Sequence, residues 1–457
     1  MARAAPRVGR PPNIVLIIVD TLRPDHLGCY GYSRPTSPNI DRLAGQGVLF
    51  EAGYSPASWT MPALMSIFTG LSPDIHECIF NEAVLPTSIL TLAQRLTQKG
   101  YFCAAAISNP TAKGELGFGR GFELFDAHTC QLKAQIYLSQ LSSCSVEYTD
   151  TITSKYVTDL SIPMLARARQ SGRPWFLCLL YFDPHMDYVP PVPYNRLFDP
   201  QYIGTIDGRG VGRIRHKPPR GADLAHLEAL YDGEVAFADA QIGRFLEALD
   251  GGADTADMLT ILLADHGEAF AEHNCLTHGI SAYREEVAVP MIWRWPEVLP
   301  AGRRVGGAVS TLSVAKTLAE LLNLPDVGLL QGRSLWAAMS RTRAPDDWVW
   351  SERGKGEGYH LAVVKGDYRV HAVFDARPDE IYANWECFDL LKDPWEQHPR
   401  PVEEVDAVDG IKDMILSQWT QNAETRAYFQ RAGAGGRIEL DEEERSRLRS
   451  LGYIGGN

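Results

Sequence analysis

Short, continuously apolar runs recur along this chain, and amphipathic segments separate them. NIVLIIVD (13–20), YFCAAAIS (101–108), PWFLCLLYF (174–182) and DMLTILLAD (257–265) lack the polar alternation of a strand with one wet face. They predict strands covered on both sides. Between them, SPNIDRLAGQG (37–47) reads as a capped helix ending at glycine, and ASWTMPALMSIFTG opens another. SILTLAQRLTQKG (88–100) is a helix with a glycine stop, ADLAHLEALYDGEVAFADAQIGRFLEALDGG (222–252) a long helix, and STLSVAKTLAELLNLP (310–325) one more. Strands alternating with helices predict an α/β fold: a mostly parallel central sheet with helices on both faces. After about Arg343 the texture changes. WVWSERG, YHLAVVKGDYRVHAVFD and ECFDLLKDPWEQHP predict short antiparallel strands with tight turns. The expected organisation is an α/β domain over 1–345, a small C-terminal α+β subdomain over 346–430, and a polar, glycine-ended tail over 431–457.

Composition narrows the function classes. The 457 residues exceed one small core. The formal net charge of -13 argues against a nucleic-acid partner. It leaves an anionic substrate open, because a bound cation can dominate the field of a site. The N-terminal apolar run, Ile14 to Val19, is too short for a signal-peptide core, and no other stretch reaches the length of a membrane span. The expectation is a cytoplasmic protein without a membrane span, with a homo-oligomer left open. Eight cysteines, at 29, 78, 103, 130, 144, 178, 275 and 387, contain no CxxC pair and suit reduced thiols. A Cys130–Cys144 bridge is conceivable but has no support in the sequence.

In an open parallel sheet, ligands bind beyond the carboxyl ends of the strands. After the first strand comes Asp20-Thr21; after the second, Ser108-Asn109-Pro110; after the third, Asp183-Pro184-His185. The fourth is followed by Asp265-His266-Gly267-Glu268, then His273 and His278. Carboxylates and imidazoles from distant segments thus share one edge. Asp20, Asp265 and His266 suit one divalent cation, Mn²⁺, Ca²⁺, Mg²⁺ or Zn²⁺. Thr60, in SPASWTMPALMSIFTG, then has two readings. It is a metal-activated nucleophile, or it is a helix N-cap, as Ser58 also could be, ahead of Pro62. The basic loop DGRGVGRIRHKPPR (207–220) reads as a solvated surface loop, with a lid for an anionic substrate as its alternative.

These segments resemble the sulfatases of the alkaline phosphatase superfamily. NIVLIIVDTLRPDHLGCYGY is similar to the family's opening metal-binding strand and loop, and TSPNIDRLAGQGVLFEAGYSPASWTMPALMSIFTG to the segment leading into the nucleophile helix. YFDPHMDYVPP, LLADHGEAFAEH, YREEVAVPMIWRWP, FDLLKDPWEQHP and LRSLGYIGG follow in the family's order. The resemblance implies metal ligands at Asp20, Asp265 and His266, and a catalytic residue at Thr60. It implies that His185 contacts the ester or protonates the leaving group, and that His278, near a family lysine, binds the anion or acts as an acid. Asn109, Thr21 and His273 would face the substrate, and His185, His273 and His278 are the available donors for a possible second metal.

Two departures stand out. The family's Cys or Ser, oxidised to formylglycine, is Thr60, and the arginine that follows is Leu64. Thr21 also replaces a frequent second acidic ligand. Threonine cannot become formylglycine, so a covalent intermediate must be opened by water at phosphorus or sulfur. The expectation is a metal-dependent hydrolase of small anionic esters that favours phosphate mono- or diesters or phosphonates. The alternatives are a sulfuric ester hydrolase with unmodified threonine, a phospho- or sulfotransferase, and a catalytically silent binding protein on this scaffold.

Overall fold

In the computed structural model the described residues are 11–127, 153–252, 254–325, 327–345, 348–353, 359–374, 383–433, 435–437, 441–442 and 445–446. The strand Asn13–Val19 (β1) lies inside an eight-stranded sheet with Val48–Tyr54 (β2), Phe102–Ile107 (β3), Leu124–Asp126 (β4), Trp175–Tyr181 (β5), Met258–Ala264 (β6), Ala288–Arg294 (β7) and Arg303–Ser310 (β8). The order is β8-β2-β7-β6-β1-β5-β3-β4. Only β7 pairs antiparallel with its neighbours in this sheet. The mostly parallel expectation therefore holds.

The apolar runs explain the layering. Alternate residues of β1 serve two cores: Ile14, Leu16 and Ile18 pack on one face, Val15, Ile17 and Val19 on the other. The first face is covered by helices Thr60–Thr69 (α2), Leu92–Gln98 (α3) and Ser313–Leu322 (α6), through Leu64, Phe68, Leu96 and Leu318. The second is covered by Pro38–Gly45 (α1), Thr153–Gln170 (α4) and Ala222–Asp250 (α5), through Leu43, Val157 and Tyr231. A strand buried on both faces has no room for polar alternation.

Several elements depart from the sequence reading. Helix α3 begins only at Leu92, because Thr91 and Gln94 form a capping box that starts it. Ser37 caps nothing; its hydroxyl donates to Asp41 instead. β2, β4, β7, β8 and α4 were not anticipated as elements. Pro290 interrupts the apolar run of β7, and Pro163 sits inside α4.

The C-terminal strands Val349–Arg353 (β9), Tyr359–Lys365 (β10), Tyr368–Phe374 (β11) and Ala383–Asp389 (β12) form a separate antiparallel sheet in sequence order. Leu361, Val363 and Val370 of this sheet share a core with Ile411 and Ile415 of the helix Ile411–Ala432 (α7). Ser351 Oγ donates to the Ser55 carbonyl at 2.7 Å, and Glu352 N to that of Pro56 at 2.9 Å. The sheet therefore touches the loop that leads into α2. Among the described residues, no helix is long and apolar enough to cross a membrane. Six cysteines there are free thiols; Cys130, Cys144 and the closing LRSLGYIGG lie outside the described residues.

Candidate active site

Parallel register assembles the site. Val19 pairs with Tyr181 on β5 and with Ala264 on β6. Asp20 and Asp265 therefore leave adjacent strands side by side, and β5 delivers the loop with Asp183 and His185 beside them. Ile107 pairs with Leu180, which brings Ser108 and Asn109 to the same edge.

The imidazole of His266 organises what they meet. Its Nδ1 lies 2.9 Å from the Gly267 carbonyl, which can only accept, so Nδ1 carries the proton. Nε2 then offers a lone pair 3.5 Å from Asp20 Oδ1 and 3.6 Å from Asp265 Oδ2. Asp265 Oδ2 is buried without a hydrogen-bond partner, whereas Oδ1 accepts from the backbone of His266 at 2.9 Å and of Thr21 at 3.3 Å. Three electron-rich atoms facing each other in a fully buried space repel unless a cation lies between them. Their ligand atoms all fall within 4.8 Å of one another. The residues present fit one divalent cation of the oxygen-and-imidazole class. Burial pushes the Asp265 carboxyl above its usual range, and a cation would offset that cost.

Asn109 orients Asp20. Its Nδ2 donates to Asp20 Oδ2 at 2.5 Å, while its Oδ1 accepts from Thr111 N and Oγ1, each at 2.7 Å. Thr21 takes a left-handed φ of 56°, which turns its N–H onto Asp265. Its buried hydroxyl has no hydrogen-bond partner.

Thr60 is the first residue of α2, with Trp59 as the cap and no side-chain capping bond. The N-cap readings of Thr60 and Ser58 are therefore overturned. The Thr60 hydroxyl points at the cluster instead, with Oγ1 3.0 Å from His266 Nε2. Leu64, one turn on, lies in the core and brings no charge to the site.

His185 and His278 complete the group. His185 Nδ1 donates to the Met186 carbonyl at 2.7 Å, which makes Nε2 the lone-pair nitrogen of the ring. The His185 and His278 rings lie 4.8 Å apart, and those of His266 and His278 4.5 Å. His273 is not brought in. Its Nδ1 is 2.7 Å from Glu285 Oε1 and its Nε2 3.0 Å from the Glu396 carbonyl, so both nitrogens are engaged away from the cluster. The roles expected for His273, at substrate or second metal, are not carried forward. The basic loop is a largely solvated surface loop that is anchored at a few points. Val211 is buried, Arg215 Nη2 donates to the His278 carbonyl at 3.2 Å, and Leu276 N donates to the Arg215 carbonyl at 2.8 Å.

Three contributors escaped the sequence reading. Thr111 holds Asn109, Arg215 holds the backbone of His278, and Glu268 Oε1 lies 2.9 Å from His278 Nδ1. Burial pushes the Glu268 carboxyl up to about 8. Only Glu268 had a signal, its place two residues beyond a predicted ligand.

The family model for sulfatases matches residues 12–324. The chain belongs to the sulfatase family. An arylsulfatase of Clostridium perfringens is 26% identical over 439 residues, covering 84% of this chain and 89% of that enzyme. Human iduronate 2-sulfatase is 26% identical over 309 residues, covering 57% of this chain and 56% of the human one. The phosphonate monoester hydrolase of Agrobacterium radiobacter superposes with a TM-score of 0.67 at 22% identity, over 94% of this chain and 98% of its own. At that identity it shares the fold. Sulfatases bind a divalent metal, and the cluster of Asp20, Asp265 and His266 is the candidate place for it in this family member.

Proposed function

We propose that this sulfatase-family hydrolase cleaves small anionic esters with Thr60 Oγ1 as nucleophile, and that phosphate mono- or diesters and phosphonate monoesters are its preferred class. The observation that carries the proposal is the Thr60 hydroxyl, fully buried and 3.0 Å from His266 Nε2, beside two carboxylates. A divalent cation held by Asp20, Asp265 and His266 would acidify that hydroxyl and offset charge on the ester. Thr60 Oγ1 passes its proton to the imidazole of His185 or His278 and bonds to phosphorus as the bond to the leaving oxygen breaks, and that imidazole gives the proton to the leaving oxygen. Water then attacks phosphorus, its proton taken by the same imidazole, and the bond from phosphorus to Thr60 Oγ1 breaks as the imidazole returns the proton to Thr60. A threonyl ester has no aldehyde hydrate through which to collapse, so this second displacement must occur at the central atom, a route natural to phosphoryl groups.

A second reading is sulfate ester hydrolysis by the same unmodified threonine. The names of the Clostridium and human relatives favour it.

The test is turnover of nitrophenyl sulfate, phosphate, phosphate diester and phosphonate, with Mn²⁺, Mg²⁺, Ca²⁺ or Zn²⁺ added in turn. Thr60→Ala should lower phosphoryl turnover by at least about a thousandfold while metal stays bound. A near-normal rate in that variant rejects the nucleophile. Turnover of the sulfate alone rejects the phosphoryl preference.

A further inference from the structure

Glu268 is an acidic side chain at this site to which the proposed reaction gives no task. It is fully buried, with Oε1 2.9 Å from His278 Nδ1. Its own backbone is pinned, since Arg23 Nη1 donates to the Glu268 carbonyl at 2.8 Å. The contact fixes the ring's plane and turns Nε2 away from Glu268. The rest of His278 is held to match. Its carbonyl accepts from Arg215 at 3.2 Å, and the next residue's N–H donates to the Ser58 carbonyl at 2.9 Å, two residues before Thr60. A ring clamped at one nitrogen and along its backbone has one direction left for the other nitrogen.

We infer that Glu268 is the positioning residue for His278, a buried carboxylate that holds the imidazole with Nε2 presented to the reacting ester. The inference rests on the proposed hydrolytic role of His278 and adds the group that orients it. A flexible ammonium at position 278 would need no such partner; an imidazole, whose two nitrogens differ in role, does. Glu268 touches neither ester nor nucleophile and acts only through His278.

Two measurements test this on the full chain. In nitrogen-15 histidine spectra of the full chain, Glu268→Ala should shift the His278 signals while the His185 signals stay. In kinetics on nitrophenyl phosphate, Glu268→Ala should lower kcat about 10–100-fold with little change in KM, the usual range for a residue that orients a site ligand. Glu268→Gln, whose amide still hydrogen-bonds Nδ1, should recover part of the loss and preserves the shape of the buried side chain should the alanine variant unfold. The decisive comparison is Glu268→Ala combined with His278→Gln, which should be no slower than His278→Gln alone. Losses that multiply, parental kcat in both Glu268 variants, or His278 signals that Glu268→Ala leaves in place would each overturn the inference. Thr60→Ala measured in parallel keeps the two claims apart: an active Thr60 variant sinks the nucleophile, while the spectra still report on the Glu268–His278 pair.

Discussion

At the scale of single residues, the site depends on backbone approach as much as on donor atoms. Gly267 separates His266 from Glu268, and a Cβ there would stand 2.1 Å from the Glu285 carbonyl oxygen. Gly267→Ala must therefore push the loop outward and spoil both the Gly267 carbonyl that fixes His266 and the place of Glu268. Metal affinity should fall at least about tenfold, with far-ultraviolet circular dichroism unchanged; isothermal titration with Mn²⁺ measures it. Asp265→Asn should lose metal and turnover together, because a neutral amide replaces one of the two anionic oxygen donors in the cluster. Retained stoichiometric metal in the asparagine variant would show that Asp265 is not a ligand. The identities Asp20, Asp265, His266 and Thr60 were legible in the chain because each follows a recognisable strand or opens a recognisable helix. Glu268's partnership was not, since a carboxylate ten residues from a histidine along an irregular loop has no periodicity to announce it.

At the scale of elements, α2 matters most, because it carries Thr60 at its first turn. It ends at Gly70, which adopts a left-handed φ of 72°. A Cβ there would lie 3.0 Å from Ala315 Cβ and 3.1 Å from Leu330 Cδ2. Gly70→Ala should cost about 1 kcal/mol or more, from the left-handed penalty plus crowding against α6; the urea midpoint at constant m-value reads it out. The apolar strands and glycine-stopped helices were readable because burial on both faces and helix termination are written locally. β7 and α4 were harder to read because each carries a proline that only the finished packing tolerates.

At the scale of the whole molecule, the C-terminal sheet holds the segment that carries His278. Arg369 Nη2 donates to the Ala282 carbonyl at 2.6 Å, and Arg284 N donates to Glu396 at 3.0 Å. His273 joins the same contact. Burial opposes its protonation, but the Glu285 carboxylate outweighs that and raises the imidazole to about 9. A folded pKa above the unfolded value of about 6.5 stabilises fully below that value. The stabilisation is lost as pH rises toward about 9. Thermal stability should therefore decline between those limits, and His273→Gln should flatten the decline; an unchanged slope in the variant would assign it to other groups. Saturating divalent metal should raise the melting temperature of the parent, because it binds the folded cluster and not the unfolded chain, and a chelator should reverse the gain.

The sequence by itself determined the layered α/β sheet, the small antiparallel sheet that follows it, and the edge at which the acidic and imidazole groups emerge, because side-chain periodicity and strand-end placement are properties of local stretches. Only the tertiary structure decided which of those groups meet. Register on β1 sets Asp20 against Asp265. The turn before α2 aims Thr60 at His266 instead of capping its helix. Glu285 and the Glu396 carbonyl hold His273 elsewhere while Glu268 and Arg215 hold His278 in place. Each of these joins residues far apart in the chain or turns on a loop conformation, and the geometry of such contacts exists only once the strands have paired and the layers have closed.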